Sequence, residues 1–208
     1  YTWEHGNAKT YVTSDTVLSE IDYAAYFTLT KQPLPDNRQH ILEKLEADRL
    51  IKKDVGDRWN ILNLGAILFA ADMTLFDGSL ARKAVRFVKY EGTDRTTTVT
   101  HRRDGQKGYA SGFEGLLGYI NGLLPQNELI GQALREAHRL FPQLSVRELV
   151  ANALIHQDMT ITGAGPLIEL FSDRLEITNP GCPLVDTNRM IDLPPRSRNE
   201  AIASLMRR

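Results

Sequence analysis

One cysteine, Cys182, stands among the 208 residues. A lone thiol excludes an internal disulfide framework and any zinc site built from several cysteines, and it suits a reducing compartment. The five histidines are scattered without the spacing of zinc ligands. Long apolar runs are also missing. The longest, residues 64–71 (LGAILFAA), has the length of a buried helix and falls short of the ~18 residues that cross a bilayer. No signal-peptide pattern opens the chain, so the expected setting is the cytoplasm, with no membrane partner. Charge of one sign is lacking as well. A formal net charge of −1 supplies no global field toward nucleic acid or an anionic surface, so any DNA contact would need a local patch. Nowhere does the G-x-x-x-x-G-K-[ST] pattern occur, which excludes a P-loop and with it a P-loop helicase motor. Internal repeats and low-complexity segments are absent too.

What is there reads as globular. The chain is 42% hydrophobic and 25% charged, enough for one large or two small domains with a real core. It opens at Tyr1 and stops at LMRR without a helix-ending Gly or Pro, and is read as a piece of a longer protein.

The first 14 residues are polar and show no pattern. Residues 15–29 (DTVLSEIDYAAYFTL) carry a capping-type Asp and helical apolar spacing, and two prolines make 30–38 a loop. Residues 36–51 place Ile41, Leu42, Leu45 and Leu50 on one helical face, and 50–62 (LIKKDVGDRWNIL) alternate around a Gly-Asp turn as a hairpin does. Residues 1–61 therefore have a helical, winged-helix-like outline. Lys52, Lys53, Arg58 and Trp59 on the hairpin invite a nucleic-acid reading. Charge opposes it: within residues 36–58, six acids (Asp36, Glu43, Glu46, Asp48, Asp54, Asp57) match six bases (Arg38, Lys44, Arg49, Lys52, Lys53, Arg58). A neutral segment neutralises few phosphates, so packing is its expected role.

From residue 62 onward the expectation is one continuous domain. Strands at 83–92 and 95–104 pair across a short turn, and 105–112 (GQKGYASG) form a glycine-rich loop. Helices follow at 113–124 and 128–141, then a hairpin over 165–181 turning at Ser172 and Asp173, and a last helix near Arg198.

Residues 147–158 (RELVANALIHQD) carry chemistry. Four-residue spacing stacks Glu148, Asn152 and His156 on one stripe of a helix that must also bury Leu149, Val150, Ala153, Leu154 and Ile155. Glu148 has a structural use, completing a capping box with Ser145. Asn152, a poor mid-helix residue, belongs either to a hydrogen-bond network or to a site, where its amide oxygen suits Mg²⁺. His156 with Asp158 could be a metal or acid–base pair, or an ordinary helix-end histidine. Arg196, Arg198 and Asn199 could meet phosphate at a helix start, or simply cap it. Asn179-Pro180-Gly181 is a good turn. Cys182, without adjacent bases, reads as a small packing residue.

ELVANAL resembles the E-L-x-x-N-A-x segment of the GHKL ATP-binding fold, shared by gyrase and histidine kinases. The resemblance implies Asn152 as ligand of a magnesium ion bridging the triphosphate, and Glu148 as the group that orients the attacking water. Where the family often has an Asp three residues after the Asn, Ile155 stands here. The strand ending NPGCP puts Asn179 in place of the adenine-reading Asp and Gly181 in place of the first glycine, with Pro183 at the second.

Taken in order, RELVANALIHQD, IELFSDRLEITNPG and PRSRNEAIASLMRR resemble the RecG-related proteins, labelled helicases or transcriptional regulators. These join an AlbA-type (Schlafen-like) domain to a divergent GHKL region. The resemblance implies an α+β fold, a two-layer sandwich of helices on a mostly antiparallel sheet over 62–208, after the winged-helix-like 1–61. It implies an ATP- and Mg²⁺-binding regulatory module with weak hydrolysis, Arg198 joining Asn179 and Gly181 at the nucleotide. DNA would be met through other parts of the parent. The competing expectation is a degenerate fold that serves interaction or homo-oligomerisation. The chain also stops before the second GHKL glycine box, so part of the triphosphate cradle is expected to be missing.

Overall fold

The computed structural model describes residues 3–130, 135–139, 141–184 and 197–207. A 3-10 turn (Trp3–His5) leads into β1 (Asn7–Val12), α1 (Ser14–Glu20), α2 (Tyr23–Leu29), α3 (Arg38–Ala47), β2 (Ile51–Lys53) and β3 (Trp59–Leu62). Then come α4 (Asn63–Phe69), a second 3-10 turn (Met73–Leu75), α5 (Gly78–Ala81), β4 (Arg86–Tyr90), β5 (Val99–Asp104) and α6 (Tyr109–Leu123). β6 (Gln126–Ile130) and β7 (Arg135–Arg139) precede α7 (Gln143–Ile155), β8 (Leu167–Leu170), β9 (Leu175–Thr178) and α8 (Glu200–Met206). The fold is α+β.

The patternless amino terminus becomes a strand because β3 supplies its hydrogen bonds. β1 pairs antiparallel with β3, which also pairs with β2, giving the order β1-β3-β2 beneath three helices. The β2–β3 hairpin turns as the sequence implies, with Gly56 and Asp57 both at positive φ (63° and 53°), as a type I′ turn requires. The single helix expected from Asp15 is two. Ile21 is extended and bridges Ala70, the Asp22 amide donates to Phe69 O (2.7 Å), and the Asp22 carboxylate caps α2 at the Ala25 amide (3.0 Å). These outside partners end α1 where helix propensity would have continued it.

The second sheet runs β5-β4-β8-β9. β4–β5 and β8–β9 are antiparallel and β4–β8 is parallel, with Arg86 opposite both Asp104 and Leu167. Its Phe87, Ile168 and Leu170 are buried toward α6 and α7, and Phe87 meets Tyr119 of α6 edge-on, with ring centroids 5.2 Å apart. Apolar side chains from both sheets and from α4 form one continuous core. Among the described residues, no helix is long and apolar enough to cross a membrane.

Three local expectations are corrected. α6 begins inside the stretch read as a loop: Gly108 is its N-cap, donating to Ala70 O (2.9 Å) where a Cβ would lie 2.5 Å from Leu68 C. Only glycine permits that approach, so the glycines mark a helix start packed on α4. The helix expected over 128–141 is instead the antiparallel hairpin β6–β7, with Gln126 opposite Arg139 and Ile130 opposite Arg135. Mutual pairing satisfies the backbone groups of both strands. α7 starts at Gln143 behind Pro142, whose carbonyl accepts from Val146 (3.1 Å). Ser145 lies inside the helix, and there is no capping box.

Candidate functional site

α7 buries Val146, Val150, Ala153, Leu154 and Ile155. Leu149, which the sequence assigned to the buried face, is 56% exposed, and Leu144 is 77% exposed. The polar stripe thus lies on the outer half of the helix. Glu148 and Asn152 line a cleft of about 680 Å³, bounded also by Ala25, Thr28 and Lys31 beside α2, Phe113 and Glu114 of α6, and Met206 and Arg207 at the end of α8. That volume lies within the ~300–1,000 Å³ of small-molecule sites.

Within the cleft the Asn152 amide nitrogen faces Glu148 Oε1 at 3.4 Å, which leaves the amide oxygen as the atom available to a cation. On the same wall Arg147 forks onto Glu114 (2.6 and 3.1 Å) and lies over the Phe113 ring at 5.1 Å. That hydrogen-bonded pair holds the Glu114 carboxyl below its usual range. Among the described residues no cluster of three His, Cys, Asp or Glu side chains could hold a metal. A cation here would depend on Asn152, water and the ligand's own oxygens, as Mg²⁺ on phosphates commonly does.

The other expected site residues gather beyond the carboxyl-terminal end of α7 and do not line this cleft. His156 ends the helix, its amide donating to Asn152 O (2.9 Å); burial lowers the imidazole pKa, and Arg207 lowers it further. The Asp158 carboxylate accepts from the Thr160 hydroxyl (2.6 Å) and amide (3.0 Å), which lower its pKa, with Arg198 and Lys83 adding positive charge. The turn at Asn179, Pro180 and Gly181 seats on this loop: the Asp158 amide donates to Pro180 O (2.7 Å). Gly181, at φ 114°, leaves no room for a Cβ, which would fall 2.7 Å from Asp158 Cβ and 3.2 Å from an Arg198 nitrogen. Arg198 lines a separate hollow with Glu4, His5, Asp48 and Arg49. Asn179, Gly181 and Arg198 are therefore brought together, and so are Glu148 and Asn152, but Arg198 lines a different hollow from Glu148 and Asn152. Arg196 lies outside the described residues. Cys182 is exposed, which corrects the packing role expected of it.

Asn199 is not a phosphate donor. It is 5% exposed, and its amide nitrogen donates to Ile155 O and Gln157 O, both at 2.8 Å, locking the start of α8 to the end of α7. Below that lies a polar network the sequence did not reveal. The Gln157 amide donates to Tyr109 Oη (2.9 Å) and Leu154 O (3.0 Å), and Tyr109 donates to Lys83 O (2.7 Å). Lys83, 1% exposed, donates to Ile161 O (2.9 Å) beside the Trp3 ring. Desolvation lowers the Lys83 pKa, and burial raises that of Tyr109. No periodicity marks Lys83 or Gln157, because their partners come from distant segments.

Comparison with known proteins adds the following. Residues 163–208 match the family described as "Putative ATP-dependent DNA helicase recG C-terminal". The matched stretch holds Asn179, Gly181 and Arg198 and stops short of α7, which carries Glu148 and Asn152. No curated protein matches. In fold the chain is similar to the crystal structure of the DIP2311 protein from Corynebacterium diphtheriae, with a TM-score of 0.68 over 98% of this chain at 18% identity. The chain spans 39% of the length of that protein. Its carboxyl-terminal segment thus resembles an ATPase-like module of a RecG-related protein, set in a shared α+β architecture.

Proposed function

We propose that this chain is an ATP-binding regulatory module of a cytoplasmic, DNA-linked parent of the RecG-related kind, with slow hydrolysis at most. The observation that carries the reading is the pairing of Glu148 and Asn152 on the wall of a ligand-sized cleft, with the Asn152 amide oxygen left to a cation. On this reading Asn152 would hold Mg²⁺, Lys31 and Arg207 would face the phosphates, and Glu148 would orient water. The parent would carry the AlbA-type domain and the DNA contacts, and residues 1–61 and 62–208 would be its winged-helix-like and GHKL-like units. The fit to ATP is partial. Asn179, Gly181 and Arg198, expected at the base and phosphates, surround Asp158 outside the cleft, so the phosphate end of the site is supported and the adenine end is not.

A second reading, a non-catalytic interaction module, is favoured by Leu144, on the rim of the same cleft, and Leu149, two large apolar side chains of α7 left in solvent.

Calorimetric titration of Mg-ATP and Mg-ADP into this chain and into the full-length parent, with Asn152→Ala in both, separates the two. Saturable heat that Asn152→Ala abolishes supports the nucleotide site. Folded protein that gives no heat in either form overturns it and leaves the interaction reading.

A further inference from the structure

β5 is the outer strand of its sheet, and all six of its residues are exposed. Its inner side is committed to β4. The Gly105 amide donates to Val85 O (2.6 Å), and Arg103 sits opposite Phe87, so alternation turns the backbone groups of Arg102 and Asp104 toward the open edge. Among the described residues no strand pairs there. α6 lies alongside, and between it and β5 is a cleft of about 350 Å³, lined by Val85, Phe87, Leu116, Tyr119, Gly112 and Gly115. The helix side is glycine-lined, and a Cβ at Gly115 would meet nothing within 4 Å. The rim is basic. Side chains alternate along β5, so His101 and Arg103 share the α6 face, with Arg103 lying 4.8 Å from the Tyr119 ring and Lys107 following, while Arg102 and Asp104 take the opposite face.

We propose that this groove binds an extended acidic segment of a partner protein, which adds to the sheet as a strand beside β5. A free strand edge pairs with any extended backbone, so main-chain hydrogen bonds supply affinity. Alternate side chains then select the partner: on the α6 face, apolar ones enter the cleft and acidic ones beside them meet His101, Arg103 and Lys107. A second copy of β5 is the wrong occupant, because it would bring one basic strand against another. Nucleic acid would use the basic residues and leave the apolar cleft empty. This proposal does not depend on the nucleotide reading, since neither Glu148 nor Asn152 lines the groove.

The probe is a fluorescein-labelled ten-residue peptide, blocked at both ends, with valine and glutamate taking turns at every second position and threonine between them, titrated into the chain by anisotropy. A lysine–valine peptide of the same pattern and a twelve-nucleotide oligo(dT) are the comparisons. Gly115→Leu fills the cleft from a position with open space, and Arg103→Glu reverses charge at an exposed residue on its rim, so the second tests the proposal even where the first perturbs folding. Expected are saturable binding of the acidic peptide, at least tenfold weaker binding by each folded variant, and slowed amide exchange at Arg102 and Asp104. Any one of four results overturns the proposal: no saturable binding, binding indifferent to both variants, preference for the oligonucleotide, or self-association of the free chain that the same variants abolish.

Discussion

The carboxylate of Glu4 accepts the backbone hydrogen of Ile202, 198 positions along the chain, at 2.9 Å. Ile202 lies in the first turn of α8, where helix amides lack internal partners, and Asn199, the residue in the N-cap position, contributes no side-chain cap. Glu4, 4% exposed, fills that role from the opposite end of the sequence. Glu4→Ala is expected to cost about 1–2 kcal/mol, the usual worth of a cap. Glu4→Gln, which keeps an acceptor, should cost less. Urea unfolding of both variants checks the order.

Asn199 gives up capping because its amide is needed elsewhere. Asn199→Ala leaves the carbonyls of Ile155 and Gln157 without this donor in a buried setting, and is expected to cost about 2–3 kcal/mol. Asn199→Asp should be at least as damaging, since a carboxylate would face two carbonyl oxygens. Thermal unfolding of the pair provides the measurement.

Glu169 is 2% exposed in its side chain, and the largely exposed Arg95 forks onto it at 2.6 and 2.8 Å, joined by the Tyr90 hydroxyl at 3.2 Å. The Arg95 hydrogen bonds lead in holding the Glu169 pKa below its ordinary value, against desolvation. A lowered carboxyl pKa stabilises the fold above the unfolded value of about 4.5 and withdraws that stability as pH falls through the folded value. Arg95→Met should reverse the sign: burial would then raise the Glu169 pKa, and acidification near pH 5 would stabilise the variant. Glu169→Gln should remove the dependence. Unfolding midpoints from pH 3 to 7 decide.

His156 gives the opposite kind of titration. Burial disfavours its charged form and lowers its pKa below 6.5, with Arg207 adding to the shift. Its contribution is fully present above the unfolded pKa and declines as pH falls from about 6.5 toward the lower folded value, because the unfolded chain takes the proton first. NMR titration of the His156 ring should place its midpoint below that of a free histidine, and Arg207→Ala should move it up.

Two glycines should respond in opposite directions. A Cβ at Gly65 would lie 2.2 Å from Leu50 O, a backbone atom that cannot step aside, so Gly65→Ala is expected to cost about 3 kcal/mol or more. At Gly115, with open space in mid-helix, alanine should be neutral or stabilising by up to about 1 kcal/mol. Chemical denaturation of both distinguishes a glycine kept for packing from one that leaves a groove open.

Local chemistry alone determined a good part of this protein. The Gly56-Asp57 turn, the β8–β9 hairpin and the presence of α7 follow from alternation, turn residues and helical spacing within a dozen positions. The stripe of Glu148 and Asn152 was legible for the same reason, since spacing on one helix fixes which side chains share a face. Which way that face points was not legible. Leu149 reads as core by its chemistry and is exposed, because α6 and α8 already cover the other side of α7.

Only the tertiary structure decided the rest, wherever a group's partner is remote. β1 exists because β3 pairs with it, and α1 stops because Phe69 and Ala70 take the backbone of Asp22 and Ile21. β6 and β7 pair with each other in a segment whose residues favour a helix. Gathering Asn179, Gly181 and Arg198 around Asp158, apart from Asn152, depends on how the β8–β9 hairpin and α8 dock against the end of α7. Burying Glu4 beneath α8 depends on the same docking. Local propensities differ by a few tenths to about 1 kcal/mol per residue, and pairing or burial of one distant group is worth as much or more. Where the two compete, the contact that sequence spacing does not encode prevails.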